Sequence, residues 1–203
     1  MSWDINGYSM EFDEETHTYL VDGVIVPSVT QIMQRRFDNM YDLVPPSVLE
    51  RAKQRGLAVH EAIETYCKTG EEVELEELKG FQRIVKNEDI TVLANEVPVL
   101  FCKGKKPLYA GRLDLYIEKQ GTNDGDFAIA DIKTTYRLDK TYLAYQLNLY
   151  RRAFEQSYQL DITKLYGLHL RDKTAKLVEI PINDFLVKEI LEDEQNYIDG
   201  ETN

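Results

Sequence analysis

Two cysteines, Cys67 and Cys102, stand far apart in a chain of 203 residues. They exclude a disulfide framework, a four-thiolate zinc site and a cysteine-ligated iron–sulfur cluster. Such sparing use of cysteine suits a reducing cytoplasm. No apolar run reaches membrane-spanning length. The opening residues, MSWDINGYSMEFDEE, are polar and acidic where a secretory leader would be apolar. The reading is therefore of a cytoplasmic protein with no membrane partner. Basic residues are also in deficit: 24 Lys and Arg face 36 Asp and Glu, for a formal net charge of -12. That excludes a nonspecific nucleic-acid coat, which would be basic. It leaves room for an enzyme that handles nucleic acid, because carboxylates gathered round a cation count as negative until the cation binds.

What is present reads as one domain, 1–203, long enough to bury a core without staples. Residues 1–45 form an N-terminal appendage and 46–203 the main core. Strands are expected over 8–12 and 17–26, the latter a hairpin around Asp22-Gly23. Helices follow over 28–37, then from Pro46-Ser47 to about Lys68 with Ser47 as N-cap and Glu50 completing a capping box, then over 74–87. The β-branched and aromatic segments 91–101, 109–118 and 126–133 read as strands. Their turns are Lys103–Pro107 and Gly121–Gly125. A long helix over 139–157, strands at 163–170 and 175–180, and a helix over 183–198 capped by Asn183 complete the set. The economical arrangement is α/β: helices on both faces of a central mixed sheet, a three-layer α/β/α sandwich with an N-terminal hairpin and helices added. The acidic stretches 71–77 and 189–201 read as solvated helix faces.

Asp114 lies inside an otherwise apolar strand, where alternation sets Leu113, Leu115 and Ile117 on one face and Arg112, Asp114 and Tyr116 on the other. Asp131 and Lys133, two apart at the end of the next strand, share a side. Neighbouring strands bring Asp114 and Asp131 close, and two carboxylates so placed repel unless a cation lies between them. Mg²⁺ or Mn²⁺ fits oxygen ligands of this kind, with the Ile132 carbonyl as a further ligand. Lys133 beside such a cation is placed to hold or deprotonate water and to balance charge on a phosphorane. A D-x-K or E-x-K triplet arises by chance about once in a chain of this length, and Glu77-Leu78-Lys79 is a second match within a helix. The signal is the whole arrangement: an Asp in one strand, a turn, then D-x-K and a helix. In that helix Gln146 and Tyr150 share a face. His60 sits on an earlier helix, four residues after Gly56, which permits close approach of another element.

These motifs resemble the PD-(D/E)xK nuclease superfamily, in particular its RecB-like exonuclease branch. They read R-G-L-A-V-H ending at His60, G-R-L-D ending at Asp114, D-I-K from Asp131 to Lys133, and Q-L-N-L-Y from Gln146 to Tyr150. The N-terminal H-T-Y-L-V-D-G-V-I-V-P-S-V-T, residues 17–30, is similar to phage and prophage members. The resemblance implies a restriction-endonuclease-like core and a metal-dependent DNA nuclease, most simply an exonuclease, in phage or bacterial recombination or repair. It implies that His60, Asp114, Asp131 and the Ile132 carbonyl bind one or two Mg²⁺ or Mn²⁺ ions and that Lys133 is catalytic. Gln146 and Tyr150 then line the site and steady the lysine or the scissile phosphate, and Glu64 and Glu96 support the ligands from behind. An iron–sulfur cluster, which several RecB-like nucleases carry, is excluded here. A Gly-x-x-x-x-Gly-Lys-Ser/Thr loop is also missing, so a separate helicase would do any unwinding. A recombinase or single-strand-binding protein are further partners in trans, and oligomeric state is left open.

Water activated by metal would hydrolyse the phosphodiester. Local basic groups must attract DNA against the global charge. The candidates are Arg51, Lys53, Arg55 and Arg112, with Lys103, Lys105 and Lys106, Arg137 and Lys140, and Arg151 and Arg152. Tyr136, Tyr142 and Tyr145 suit either base stacking or core packing. Three other readings stand beside this one: a catalytically idle DNA- or protein-binding module on the same fold, an acidic DNA-mimic inhibitor, and a restriction-type endonuclease.

Overall fold

A computed structural model describes residues 1–38, 40, 42–120 and 125–201. Most of the turn expected at Gly121–Gly125 lies outside the described residues. The chain opens with an antiparallel meander of β1 (Ser2–Ile5), β2 (Tyr8–Asp13), β3 (Thr18–Val21) and β4 (Val24–Val26), paired in that order. Asp22 and Gly23 take φ of 49° and 77°, the left-handed pair that a two-residue hairpin turn needs. Asn6 and Gly7, at 56° and 80°, build the same turn between β1 and β2. That first strand was not expected from composition, although the Asn-Gly dipeptide was its signal.

Helix α1 (Val29–Arg36) begins at Ser28, whose hydroxyl accepts from Gln31 N while the Gln31 side chain accepts from Ser28 N. Helix α2 (Pro46–Thr69) corrects the expected cap: Pro45 precedes the first turn with no side-chain cap, Ser47 lies inside that turn, and Glu50 bonds Gln54 instead. Gly70, at φ 74°, ends the helix as expected. Helix α3 (Glu76–Asn87) follows.

The second sheet has the order β5 (Ile90–Lys103), β6 (Lys106–Lys119), β7 (Asp126–Lys133), β8 (Lys164–Arg171), β9 (Thr174–Ile180). All neighbours are antiparallel except β7 and β8, which are parallel and joined through α4 (Lys140–Tyr158), so the sheet is mixed. The chain ends in α5 (Asp184–Glu201), where the Asn183 side chain accepts from Phe185 N at 3.0 Å. Among the described residues no helix is long and apolar enough to cross a membrane.

The sheet's two faces bury separate apolar sets. Val97, Val99, Leu113, Ile129 and Leu165 pack with α1, α4 and α5. Leu115, Ile117, Ala130, Ile132 and Leu168 pack with Val59 and Ile63 of α2 and Leu78, Phe81 and Ile84 of α3. Burying a side chain of this size is worth about 1.5–3 kcal/mol. Helix α4 is buried on most of its circumference, through Leu143, Leu147, Leu149 and Phe154 among others. Gly167 on β8 has no side chain to hold Leu143 away. The N-terminal meander closes a third cluster over Leu100, Cys102 and Ala110, and Ala110 N donates to Pro27 O at 3.1 Å.

Two expectations fail here. Leu113 packs on the α4 side whereas Leu115 and Ile117 face α2 and α3, so strict alternation does not carry through Asp114. The β5–β6 ladder has no pair at Glu96 and Asp114, and Glu96 is left-handed at φ 49°, an irregularity that re-aims the strand. The acidic stretches are also not simply solvated. Glu77 is buried and pairs with Arg55, Glu194 pairs with Arg35, and Glu189 accepts from Tyr145 at 2.7 Å. Buried carboxylates need partners, and α1 and α2 supply them.

Candidate metal centre

Strands β6 and β7 pair antiparallel as far as Leu115 and Ala130. Continuing the register by one residue sets Asp114 opposite Asp131, and Asp114 Oδ2 accepts from Ile132 N at 2.7 Å. Helix α2 lays His60 over the same point. His60 Nε2 lies 3.2 Å from Ile132 O and Nδ1 lies 3.6 Å from Asp114 Oδ1. A proton on Nε2 satisfies the carbonyl and leaves the Nδ1 lone pair facing the carboxylate, which is how protein contacts fix a ligating imidazole. Gly56 is not needed for this approach: an added Cβ would meet Thr134 Oγ1 at 3.5 Å, an ordinary contact.

The left-handed Glu96 brings a second carboxylate in. One ligand atom from each of His60, Glu96 and Asp114 lies within 4.8 Å of the others. Glu96 is held by Arg112, Nε to Oε2 2.5 Å. Burial first, then the charge of Asp114, pushes the Glu96 carboxyl up to about 7, against the pull of Arg112 and His60. Glu96 thus joins the three-residue group, while Asp131 stands behind it. Its sequence signal was a Glu within the apolar strand Val92–Phe101.

Asp131 is 3% exposed. Its Oδ2 lies 2.5 Å from Lys133 Nζ, an approach that leaves that oxygen without a well-aligned hydrogen bond. Burial and Asp114 raise the carboxyl's pKa, and Lys133 opposes them. For Lys133, burial works against the ammonium, yet Asp131 and Asp114 outweigh it and hold the pKa above the usual lysine value. Lys133 Nζ donates to Gln146 Oε1 at 2.9 Å and lies 5.9 Å from the Tyr142 ring centroid. Tyr150 is buried, with its pKa driven well up by burial and then by Asp114, so it stays a phenol. Gly111 makes room for it: an added Cβ would lie 2.8 Å from Tyr150 Cε1.

A cleft of about 760 Å³ opens on this cluster. Its floor is Glu96, Gly111, Arg112, Asp114 and Tyr150; α2 lines one side with Lys53, Leu57, His60, Glu61 and Glu64. Phe12, His17 and Tyr19 of the N-terminal meander and Gln31 and Gln34 of α1 line the cleft too, none of which sequence reasoning placed at a site. Asp131, Lys133 and Gln146 sit behind the floor.

No family model and no curated protein matches this chain. Among solved structures, that of SSO0001 is similar with a TM-score of 0.43 and 16% identity, over 83% of this chain and 73% of that one. A likeness this weak carries no argument about the fold or the site.

The donor set itself speaks to a ligand. Two carboxylates and an imidazole nitrogen within 4.8 Å and a raised carboxyl at Glu96 fit a hard divalent cation. Glu64 lines the cleft but pairs with Lys68. Several expected DNA contacts are engaged elsewhere. Arg55 bridges Glu77 and Asp172, tying α2 to α3 and the β8–β9 turn. Arg151 is buried and pairs with Glu155 and Asp184, and Arg152 pairs with Glu155. Lys103, Lys105 and Lys106 lie at the far end of β5 and β6, beside Tyr8 rather than Asp114. Arg51 lies a turn from Ser47 O. Arg137 and Lys140 are exposed in and just after the connection that follows Lys133. Tyr145 is core, bonded to Glu189 and Arg36; Tyr142 packs on Phe37; Tyr136 is 75% exposed under Arg171.

Proposed function

We propose that the protein is a metal-dependent deoxyribonuclease whose mixed sheet and flanking helices form a three-layer, restriction-endonuclease-like core. The observation that carries this reading is the meeting of Asp114, Glu96 and His60 at the cleft floor with the Asp131–Lys133 pair directly behind. His60, Glu96 and Asp114 would hold Mg²⁺ or Mn²⁺, with Asp131 supporting from β7. Such a cation supplies a lowered water pKa and neutralises charge on phosphate oxygens.

The chain's own groups then have definite tasks. With no ion bound, Asp131 and Asp114 outweigh the burial of Lys133 and favour its ammonium form. Beside a bound cation Lys133 would hold or deprotonate the attacking water and balance the charge developing on the phosphorane. Gln146 aims it through the 2.9 Å contact. Tyr150 keeps its proton and offers a phenol O–H at the cleft floor. The Ile132 carbonyl, engaged by His60 Nε2, fixes the imidazole's orientation. Exonuclease action, DNA as the preferred polymer, and work alongside a recombinase, a single-strand-binding protein or a helicase follow from the motif resemblance.

The test is digestion of linear and circular DNA, single- and double-stranded, with Mg²⁺, Mn²⁺ or chelator. Cleavage should depend on the ion, and purified Asp131→Ala and Lys133→Ala should fold but not cut. Full activity in either folded variant refutes the reading. The placement of Asp131 and Lys133 off the cleft wall is what a binding module on this fold would also show. Metal-dependent binding of DNA by the wild type, with no cleavage on any substrate, would favour that second reading.

A further inference from the structure

The cleft has one wall that the chemistry above does not use. Asp13 at the end of β2 accepts from Glu15 N at 2.9 Å and Thr16 N at 3.3 Å, fixing the turn that delivers His17. His17 is left-handed at φ 53° and exposed. Its imidazole stacks on Phe12, with centroids 5.6 Å apart and planes 20° from parallel. Phe12 in turn lies 4.6 Å from Tyr19, which is buried. The three rings thus run from the core to solvent, ending on an imidazole. Arg112 joins this ladder to the metal cluster: its Cζ lies 5.7 Å from the Phe12 centroid while its Nε contacts Glu96.

We propose that Phe12 and His17 form a stacking platform for one unpaired base of the substrate strand, next to the scissile phosphate. This rests on the nuclease reading and makes the substrate single-stranded DNA, or an end opened over one or two nucleotides. The rings line the same cleft as Asp114 and Glu96, and Arg112 touches both Phe12 and Glu96, so a strand whose phosphate is at the carboxylates can bring its base to the rings. A base inside a duplex has no free face for a protein ring; one taken out of the stack does. A cleft of about 760 Å³ has room for a nucleotide taken out of the stack. Stacking on aromatic side chains is indifferent to sequence, because every base has a π-face. With a net charge of -12, the protein gains little from long-range attraction to phosphates, which leaves stacking with a larger share of the binding.

The test uses Phe12→Leu, which keeps apolar volume, and His17→Asn, which tolerates the left-handed backbone. Binding of fluorescein-labelled oligo(dT) is read by anisotropy in Ca²⁺, and cleavage is read in Mn²⁺. A second oligonucleotide series carries a single abasic nucleotide at successive positions. Each variant should weaken oligo(dT) binding and raise KM about tenfold, the effect of one lost stacking contact, with kcat changing much less. One abasic position should cost the wild type about the same and cost the variants nothing more. The proposal falls if the wild type ignores every abasic position, if both variants bind as the wild type does, or if blunt duplex is bound better than oligo(dT). The stacking pattern in Ca²⁺ without cleavage in Mn²⁺ would support the platform and refute the nuclease reading. Cleavage without the pattern would do the reverse.

Discussion

Glu96→Gln separates what the cluster costs the empty protein from what it provides to a bound ion. The Glu96 side chain is 16% exposed, and its carboxyl is raised from 4.5 to about 7, chiefly by burial and then by Asp114. At about 1.36 kcal/mol per pKa unit, ionising it in the fold costs about 3 kcal/mol. The sign follows from linkage. Below pH about 4.5 the group is protonated folded and unfolded, and it exacts no penalty. Between about 4.5 and about 7 the unfolded chain ionises and the folded one does not, so stability falls as pH rises, then levels off. Glutamine imitates the protonated form at every pH. In chelator the variant should therefore match the wild type near pH 4.5 and exceed it by up to about 3 kcal/mol at pH 8. Urea unfolding at pH 4.5, 6 and 8, each in chelator, measures the difference. Added Mn²⁺ should reverse the order at pH 8, because only the wild type keeps the full ligand set, and binding stabilises by RT ln(1 + [M]/Kd). A variant no more stable than the wild type at pH 8 in chelator, or a difference that does not change with pH, would refute the reasoning.

Gly111→Ala should destabilise by about 1–3 kcal/mol, because its Cβ would meet Tyr150 Cε1 at 2.8 Å and Val29 Cγ2 at 3.3 Å; a neutral result in thermal unfolding would contradict that packing. Arg55→Ala should cost about 1–2 kcal/mol by leaving the Glu77 carboxylate with the Asp172 N–H but without its half-exposed cation, while cleavage per folded molecule is retained; a selective loss of DNA binding with normal stability would restore Arg55 as a substrate contact. Ser28→Ala should cost about 1 kcal/mol through the lost capping box of α1, read as a lower urea midpoint.

Much of the site was legible because its chemistry resides in single residues at fixed spacings. Asp131 and Lys133 had to share a side of β7, and they do, 2.5 Å apart. Gln146 had to find a partner inside α4 and found Lys133. What could not be read was anything depending on a broken period. The left-handed backbone of Glu96 changes what β5 and β6 present on either side of Asp114, and no alternation rule anticipates it. Basic residues misled for a related reason. A charge shows in the sequence and its partner does not, so Arg55 and Arg151 looked available although Glu77, Glu155 and Asp184 hold them. The cleft's third wall was hidden by distance: Phe12 and His17 lie far from Asp114 in the chain, and only the closure of the meander over Ala110 brings them near.

Position 132 delivers both of its contacts from the main chain, N–H to Asp114 and carbonyl to His60. Exchanging its side chain for another of similar bulk leaves both untouched, so a conventional scan of substitutions would score the residue as interchangeable filler. The link between strand and helix is thereby shielded from mutation. It would yield to an ester in place of the amide after Ile132, which weakens that carbonyl as an acceptor for His60, a change to the backbone that natural variation cannot make.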